Sequence, residues 1–327
     1  MSQDLFLDLG EVDKARISAQ QYDVIIIGGG PAGLAAGLYT ARARLNALLI
    51  EKDPLHCNLC LVKRIDNYPG FPEGISGREL IELMEMQARR FGLQIEIGNV
   101  IDITNDSDVK TVKTDIRNFR AKALIITTGI SRKRQGVDGE EDFQGKGVSY
   151  CATCDGPFFK DIPVAVVGGG EEALEEAIFL TKFASQVTVI HSQEELSANE
   201  QLQGMAADNE KISLLLNSEV TKIAGKERVE FVEVLDLNTG NTEQLSVGGV
   251  FLYTGTRPVK DFLSQLMKMD ERGYIITDQD MKTSADGIFA AGDVRYKKVR
   301  QVATAVGDGA TAASSARKYI QNLQSKS

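Results

Sequence analysis

The sequence predicts an α/β protein of two doubly wound, Rossmann-like domains, each in three ββα-type layers. Three observations carry this. A glycine fingerprint, Gly28-x-Gly30-x-x-Gly33, follows the apolar run Tyr22–Ile27. A second, Gly168-x-Gly170-x-x-Ala173, follows Val164–Val167 about 140 residues later. Each opens a run of helical character. In such a turn the first glycine makes the bend, the second lets a pyrophosphate approach the backbone, and the third position packs helix on strand. One match is weak, but two in the same context within 327 residues describe two dinucleotide-binding domains.

The elements follow in order. A strand at Tyr22–Ile27 runs through the turn, with Pro31 and Ala32 inside it, into a helix predicted over 32–44. The next strand, Ala47–Ile50, ends at Glu51, 18 residues beyond Gly33 (33 to 51). That is the place of an acid that hydrogen-bonds an adenosine ribose. A buried strand, Ala123–Ile126, ends in Thr127-Thr128-Gly129. Asp286–Asp293 reads as a short apolar strand closing on glycine and aspartate, and a final helix is predicted from Ala303 to about Ile320.

Composition narrows the function classes. With 37 basic and 46 acidic residues the net charge is −9, which argues against nucleic acid or an anionic membrane as a general partner. No apolar run approaches the roughly 18 residues of a spanning helix. The acidic Met1–Gly10 has no cationic start and does not read as a secretory signal, so a cytoplasmic protein is expected. Its Leu5, Phe6, Leu7 and Leu9 are expected to fold back on their own domain, with docking on a partner or a membrane edge as the alternative.

The four cysteines form two Cys-x-x-Cys pairs, which fits intracellular redox or metal chemistry better than a secreted disulfide framework. Cys151 and Cys154 can close a small ring that opens and closes readily, and the attacking sulfur must be a thiolate. Two inert buried cysteines, or half of a zinc site, are the competing readings. Cys57 and Cys60, after His56, are open to three readings: a second redox dithiol, two small packing residues, or a zinc site shared with the other pair. No metal is expected.

Gly28–Gly33, Asn67-Tyr-Pro-Gly-Phe71, Cys151-Ala-Thr-Cys-Asp-Gly156, Gly287–Asp293 and Arg300-Gln-Val-Ala303 together resemble the low-molecular-weight thioredoxin reductases over roughly residues 22–320. The resemblance implies a homodimeric, FAD-dependent disulfide oxidoreductase acting on a thioredoxin-like or other disulfide protein. It implies an FAD domain from residues 1–130 and 256–327, with 1–21 as an extension. A central domain, 131–255, carries the dithiol and swivels to present it alternately to flavin and to the protein substrate. Cys154 is then the flavin-facing sulfur, Cys151 the one that attacks the partner, and Asp155 the proton donor and acceptor. Asp293 matches a contact to the ribityl chain, while Arg300, Gln301 and Val302 match the segment that meets the flavin ring. Asn67 and Glu51 complete the set, with Asn58 (in place of a glutamine), Thr128 and Gly129 beside it. Arg42, Arg44, Arg132 and Arg134 read as solvated charges.

The second fingerprint departs from that family. Where its members grip the 2′-phosphate of NADPH with arginines, this chain has His191-Ser192-Gln-Glu-Glu-Leu-Ser197. Losing two charge-assisted hydrogen bonds costs about 3–6 kcal/mol, on the order of a hundred- to ten-thousand-fold in affinity, so NADPH is not the expected ligand. An acidic ribose partner for NADH is missing too, because the equivalent count from Ala173 lands on His191. The glycines Gly168 and Gly170 remain, and a pyrophosphate ligand without a 2′-phosphate fits them. Loss of the arginines with retention of Cys-Ala-Thr-Cys resembles the cyanobacterial diflavin-linked disulfide oxidoreductases, which implies a second FAD at this turn. The alternatives are a site fed by another donor, as in a ferredoxin-linked branch, an ordinary NAD(P)H-dependent reductase, or a redox-responsive flavin-binding protein.

Overall fold

The computed structural model describes residues 21–53, 57–106, 108–132, 136–253, 255–260, 262–263 and 266–325. The Leu5–Leu9 stretch, His56 and Arg134 lie outside these residues, as does the side chain of Arg132. The chain divides into two compact units, one from the described parts of Met1–Cys57, Leu80–Ile130 and Pro258–Ser327, the other from Asn58–Glu79 and Ser131–Arg257. The expected boundaries place 58–79 with the first unit; in the structure that segment groups with the second.

In the first unit β1 (Gln21–Ile27), α1 (Pro31–Arg42), β2 (Ala47–Glu51), α2 (Gly77–Arg90) and β3 (Gln94–Ile97) wind in one direction. A meander of β4 (Val100–Asp106), β5 (Val109–Thr114) and β6 (Asn118–Ile126) then returns the chain beside β1. The parallel register sets Ile25 opposite Leu48 on one side and Leu124 on the other. Strands β1 and β2 are apolar almost throughout because both faces of a parallel sheet are covered. The helix predicted over 32–44 stops at Arg42, and Arg44 turns to a φ of 60° in a left-handed bend that ends it. The buried strand predicted at 123–126 starts earlier, at Asn118, because its first half pairs antiparallel with β5.

The second unit opens with β7 (Ile130–Arg132) and β8 (Val148–Ser149), then the short helix α3 (Ala152–Asp155), β9 (Val164–Val167), α4 (Glu171–Leu180), β10 (Val187–Ile190), α5 (Glu200–Ala207) and β11 (Ile212–Leu215). An antiparallel sheet of β12 (Ser218–Ala224), β13 (Phe231–Asp236) and β14 (Thr242–Ser246) follows, then β15 (Gly249–Leu252). The parallel sheet has the order β11-β10-β9-β15-β8. Its two faces bury different sets. Val166, Val189 and Phe251 meet Leu174, Ala177 and Leu180 of α4, whereas Ala165, Val167, Ile190 and Val250 meet Val220, Ile223 and Val232 of the antiparallel sheet. Helices, parallel sheet and antiparallel sheet make the expected ββα layering.

The chain leaves this unit through β16 (Thr256–Pro258), which pairs with β7. It then adds β17 (Ile288–Ala290) beside β6 and ends in α6 (Val302–Gln324), which packs along α1. Sequence pattern places this last helix two turns or less from its real ends. Lys110 of β5 is fully buried, and its Nζ donates to the Tyr319 hydroxyl of α6 at 3.0 Å. That hydroxyl donates to Asp286 at 3.1 Å. Burial pushes the Lys110 ammonium below its ordinary range, opposed by Asp286 and Asp108.

Candidate active site

The β1–α1 turn is built for close approach. Gly28 has φ +109°, and a Cβ there would lie 2.4 Å from the Thr127 carbonyl oxygen; one on Gly33 would lie 1.8 Å from the Gly28 carbonyl oxygen. Thr127 closes the turn by donating to the carbonyls of Ile27 and Gly28, both at 2.8 Å. By contrast a Cβ on Gly30 meets nothing within 4 Å, so open space lies over the helix N-terminus that Gly30 caps and Pro31 and Ala32 begin. Glu51 sits at the end of β2 and accepts the Gly29 N–H. The cradle fits the pyrophosphate and adenosine ribose of FAD. Backbone N–H groups at such a terminus favour an anion.

The same unit also carries more of the expected residues. Thr128 donates to the Val259 carbonyl at 2.7 Å, and Gly129 turns with φ +67°. Asp293 lies in the short 3₁₀ turn Gly292–Val294 after β17. That turn is held against α6 by Asp308, which accepts the Gly292 N–H at 3.1 Å and the Lys297 ammonium at 2.8 Å. Gln301 caps α6 reciprocally with Thr304, and Val302 starts the helix. Arg300 lays its guanidinium 4.4 Å over the Tyr274 ring, and its buried Nε has no hydrogen-bond partner among the described residues. Asn67 and Asn58 are both exposed in the segment that groups with the other unit. Arg42 and Arg44 are exposed, as expected of solvated charges.

The β9–α4 turn repeats the first. A Cβ on Gly168 would lie 2.4 Å from the Tyr253 carbonyl oxygen, while one on Gly170 meets only Ser197 Oγ, at 3.6 Å. Ala173 packs into the core, and its Cβ is 3.2 Å from where a Gly168 Cβ would lie. His191 packs on Gly169, where a Cβ would come within 2.5 Å of the imidazole, and its buried Nε2 has no partner among the described residues. Ser192 is half-buried beside it. Glu171 and Glu172 of the first turn of α4 are exposed, Glu171 receiving an N–H from Asn199 at 3.2 Å. From His191 to Glu200 the chain has Glu194, Glu195 and Glu200 and no lysine or arginine.

Cys151 and Cys154 form a disulfide, with Cα atoms 5.3 Å apart. Cys151 is the N-cap of α3, and its sulfur accepts the Cys154 N–H at 3.2 Å. The Thr153 hydroxyl lies 3.3 Å from the same sulfur. An N–H donated to a sulfur favours negative charge on it. The Cys151 N–H donates to Ser149 Oγ at 3.1 Å, and that hydroxyl donates to Asp155 at 2.6 Å. The Tyr253 hydroxyl accepts the Ala152 N–H at 2.7 Å. Ser149, Tyr253 and Thr127 were not among the sequence candidates. Tyr253 is far from the dithiol in sequence and arrives there only because β15 lies between β8 and β9. On the other side of α3 the Thr153 N–H donates to the Glu176 carboxylate of α4, whose pKa is pushed up to about 7 by burial, with Glu172 and Glu175 adding to the shift.

Cys57 and Cys60 are also disulfide-bonded, and the chain has no unpaired cysteine. All four sulfurs are therefore engaged in disulfides, which corrects the reading of Cys57 and Cys60 as two packing thiols. No cluster of potential metal ligands occurs among the described residues. No helix among them is long and apolar enough to cross a membrane.

Residues 22–309 match the pyridine nucleotide-disulphide oxidoreductase family. The thioredoxin reductase of Bacillus subtilis (strain 168) is 43% identical over 304 residues, covering 93% of this chain and 96% of its own. That of Peptoclostridium acidaminophilum is 42% identical over 306 residues, covering 92% and 97%. The crystal structure of thioredoxin reductase from Streptococcus pyogenes MGAS5005 matches with a TM-score of 0.90 at 43% identity, over 93% of this chain and all of that one. With its two glycine turns and its Cys-x-x-Cys disulfide, the chain belongs to the pyridine nucleotide-disulphide oxidoreductase family, among the low-molecular-weight thioredoxin reductases, and is a flavin-dependent disulfide oxidoreductase.

Proposed function

We propose that this enzyme passes electrons between FAD at the β1–α1 turn and the Cys151–Cys154 disulfide, and that the β9–α4 turn takes a second FAD in place of NADPH. The observation that carries the proposal is the loop after β10. In the segment where a 2′-phosphate would need cations the charged side chains are the carboxylates Glu194 and Glu195, while the glycine cradle at Gly168 and Gly170 is intact. NADPH does not fit that charge pattern. The open backbone at Gly170 leaves room for a pyrophosphate ligand without a 2′-phosphate, and His191 Nε2, buried with no partner among the described residues, is a hydrogen-bonding group beside that turn.

Bound FAD supplies a two-electron carrier at each turn. The chain supplies the rest. The Cys154 N–H and the Thr153 hydroxyl hold charge on Cys151, which attacks the disulfide of a thioredoxin-like partner; Cys154 then closes on Cys151. Asp155, fixed by Ser149, exchanges the proton of the departing thiol. The name shared by the relatives supplies the partner class, and a homodimer in the cytoplasm completes the reading.

The test is anaerobic mixing of the oxidised holoprotein with NADPH, following the flavin absorbance. Negligible bleaching, in the unmodified protein and in a Ser192→Arg/Gln193→Arg variant alike, is the expected result. Rapid bleaching of the unmodified protein at micromolar NADPH would restore the ordinary NADPH-dependent reading.

A further inference from the structure

Glu176 stands apart from every role assigned above. It lies on α4, beyond the glycine turn, and its carboxylate accepts the N–H of Thr153, which sits between the two cysteines. Its Oε2 is buried and has no hydrogen-bond partner among the described residues. Its neighbours on α4 are Glu172 and Glu175. The other elements packed on α4 are α3, α5, β9 and β10. Their ionisable groups are Cys154 and Asp155 on α3, with Cys151 at its cap, and Glu200 on α5; the two strands have none. No cation is among these groups. A carboxylate in that setting keeps its proton far longer than a solvated one, because burial and like charges both disfavour ionisation, which agrees with its value of about 7.

We propose that Glu176 is a positioning residue that couples a proton to the redox state of Cys151–Cys154 through the Thr153 amide. The proposal rests on Cys151–Cys154 being the redox pair. On reduction the S–S bond breaks and two electrons enter from the bound flavin. One sulfur takes a proton as the thiol and Cys151 stays a thiolate, and Glu176 holds the second proton because the new negative charge opposes its ionisation. When Cys151 and Cys154 reclose on reducing a substrate disulfide, both protons leave with the two electrons and end on the two substrate sulfurs. The coupling is reciprocal: an ionised Glu176 raises the thiol pKa, and a neutral one lowers it. One unit charge across roughly 10 Å at an effective dielectric of about 20 changes the thiolate ratio about tenfold.

The test is the rate of iodoacetamide alkylation at Cys151, read by mass spectrometry on the reduced holoprotein from pH 5 to 9. The unmodified protein is expected to show two inflections, one of them near pH 7. Glu176→Gln, which keeps the hydrogen-bonding shape, is expected to show one inflection and up to tenfold faster alkylation above pH 7. Glu176→Asp restores the two-step profile. A Glu176→Gln profile superimposable on the unmodified one overturns the proposal, since a merely structural role would not depend on titration.

If Glu176→Gln fails to fold, Glu172→Gln/Glu175→Gln at two exposed positions must move the inflection to lower pH, and an unmoved inflection overturns the proposal equally. If Cys151 is not the fast-reacting sulfur at any pH, it is the assignment of the attacking cysteine that fails. Proton uptake on reduction near pH 7 then decides for Glu176, with a lower uptake in Glu176→Gln expected and an equal uptake refuting.

Discussion

Gly30→Ala and Gly33→Ala separate cofactor binding from folding at the β1–α1 turn. A Cβ on Gly33 would lie 1.8 Å from the Gly28 carbonyl oxygen, so α1 and β1 must move apart by more than 1 Å, as roughly estimated from an ordinary contact near 3.5 Å. Overpacking of this kind costs about 3 kcal/mol or more, which corresponds to a fall in Tm of roughly 6 °C or more. Gly30 is different. Its φ is −72°, which alanine adopts without strain, and its Cβ meets nothing within 4 Å. The apo-protein of Gly30→Ala is therefore expected to melt within about 1 kcal/mol of the unmodified one. The new methyl occupies the space of the pyrophosphate and removes about two charge-assisted N–H contacts, roughly 3–6 kcal/mol or a hundred- to ten-thousand-fold in FAD affinity. Flavin fluorescence titration of apo-protein, paired with thermal melts, reads both. Unchanged FAD affinity in Gly30→Ala would refute the placement of the pyrophosphate.

Other expectations follow from the same geometry. Cys151→Ser should abolish turnover with a disulfide protein and leave FAD bound, and retained turnover would contradict the assignment of the attacking sulfur. The oxidised chain should titrate with no thiols and the fully reduced chain with four, since no cysteine is unpaired; two thiols after reduction would show that one pair resists dithiothreitol. Ser149→Ala removes the 2.6 Å hydrogen bond that orients Asp155, and kcat should fall on the order of tenfold with KM for the protein substrate little changed. Glu176 has its folded pKa raised from 4.5 to about 7, so its stabilising share is complete below 4.5 and is lost as pH rises through 7. Because part of the group faces solvent, Glu176→Gln should gain only about 1–2 kcal/mol at pH 8 and nothing at pH 4, measured by denaturant melts.

Legibility from sequence tracks how local the signal is. Both glycine turns, the strands that feed them, Glu51 and the Cys-x-x-Cys disulfide are readable because each is a contiguous pattern with one backbone solution. The charge reversal at Glu194 and Glu195 is readable for the same reason. The meander β4–β6 is not, since its alternation is broken by buried Lys110, whose partners Tyr319 and Asp286 lie far along the chain. Ser149, Tyr253 and Glu176 carry no motif. Strand order brings the first two to α3, and helix packing brings the third. Asp308 is likewise a plain helical aspartate until the fold sets Gly292 and Lys297 against it. Cys57 and Cys60 illustrate the limit of composition: two cysteines three apart suit packing, metal and redox roles alike, and their disulfide-bonded state is not legible from the spacing.

The flavin content of the purified chain tests the central claim most directly. FAD released by acid and quantified against protein concentration should approach two per chain, the second lost on disrupting the β9–α4 turn with Gly170→Val. One FAD per chain, joined by saturable micromolar binding of NADPH, would contradict the account and return this chain to the ordinary pyridine-nucleotide-dependent reductases.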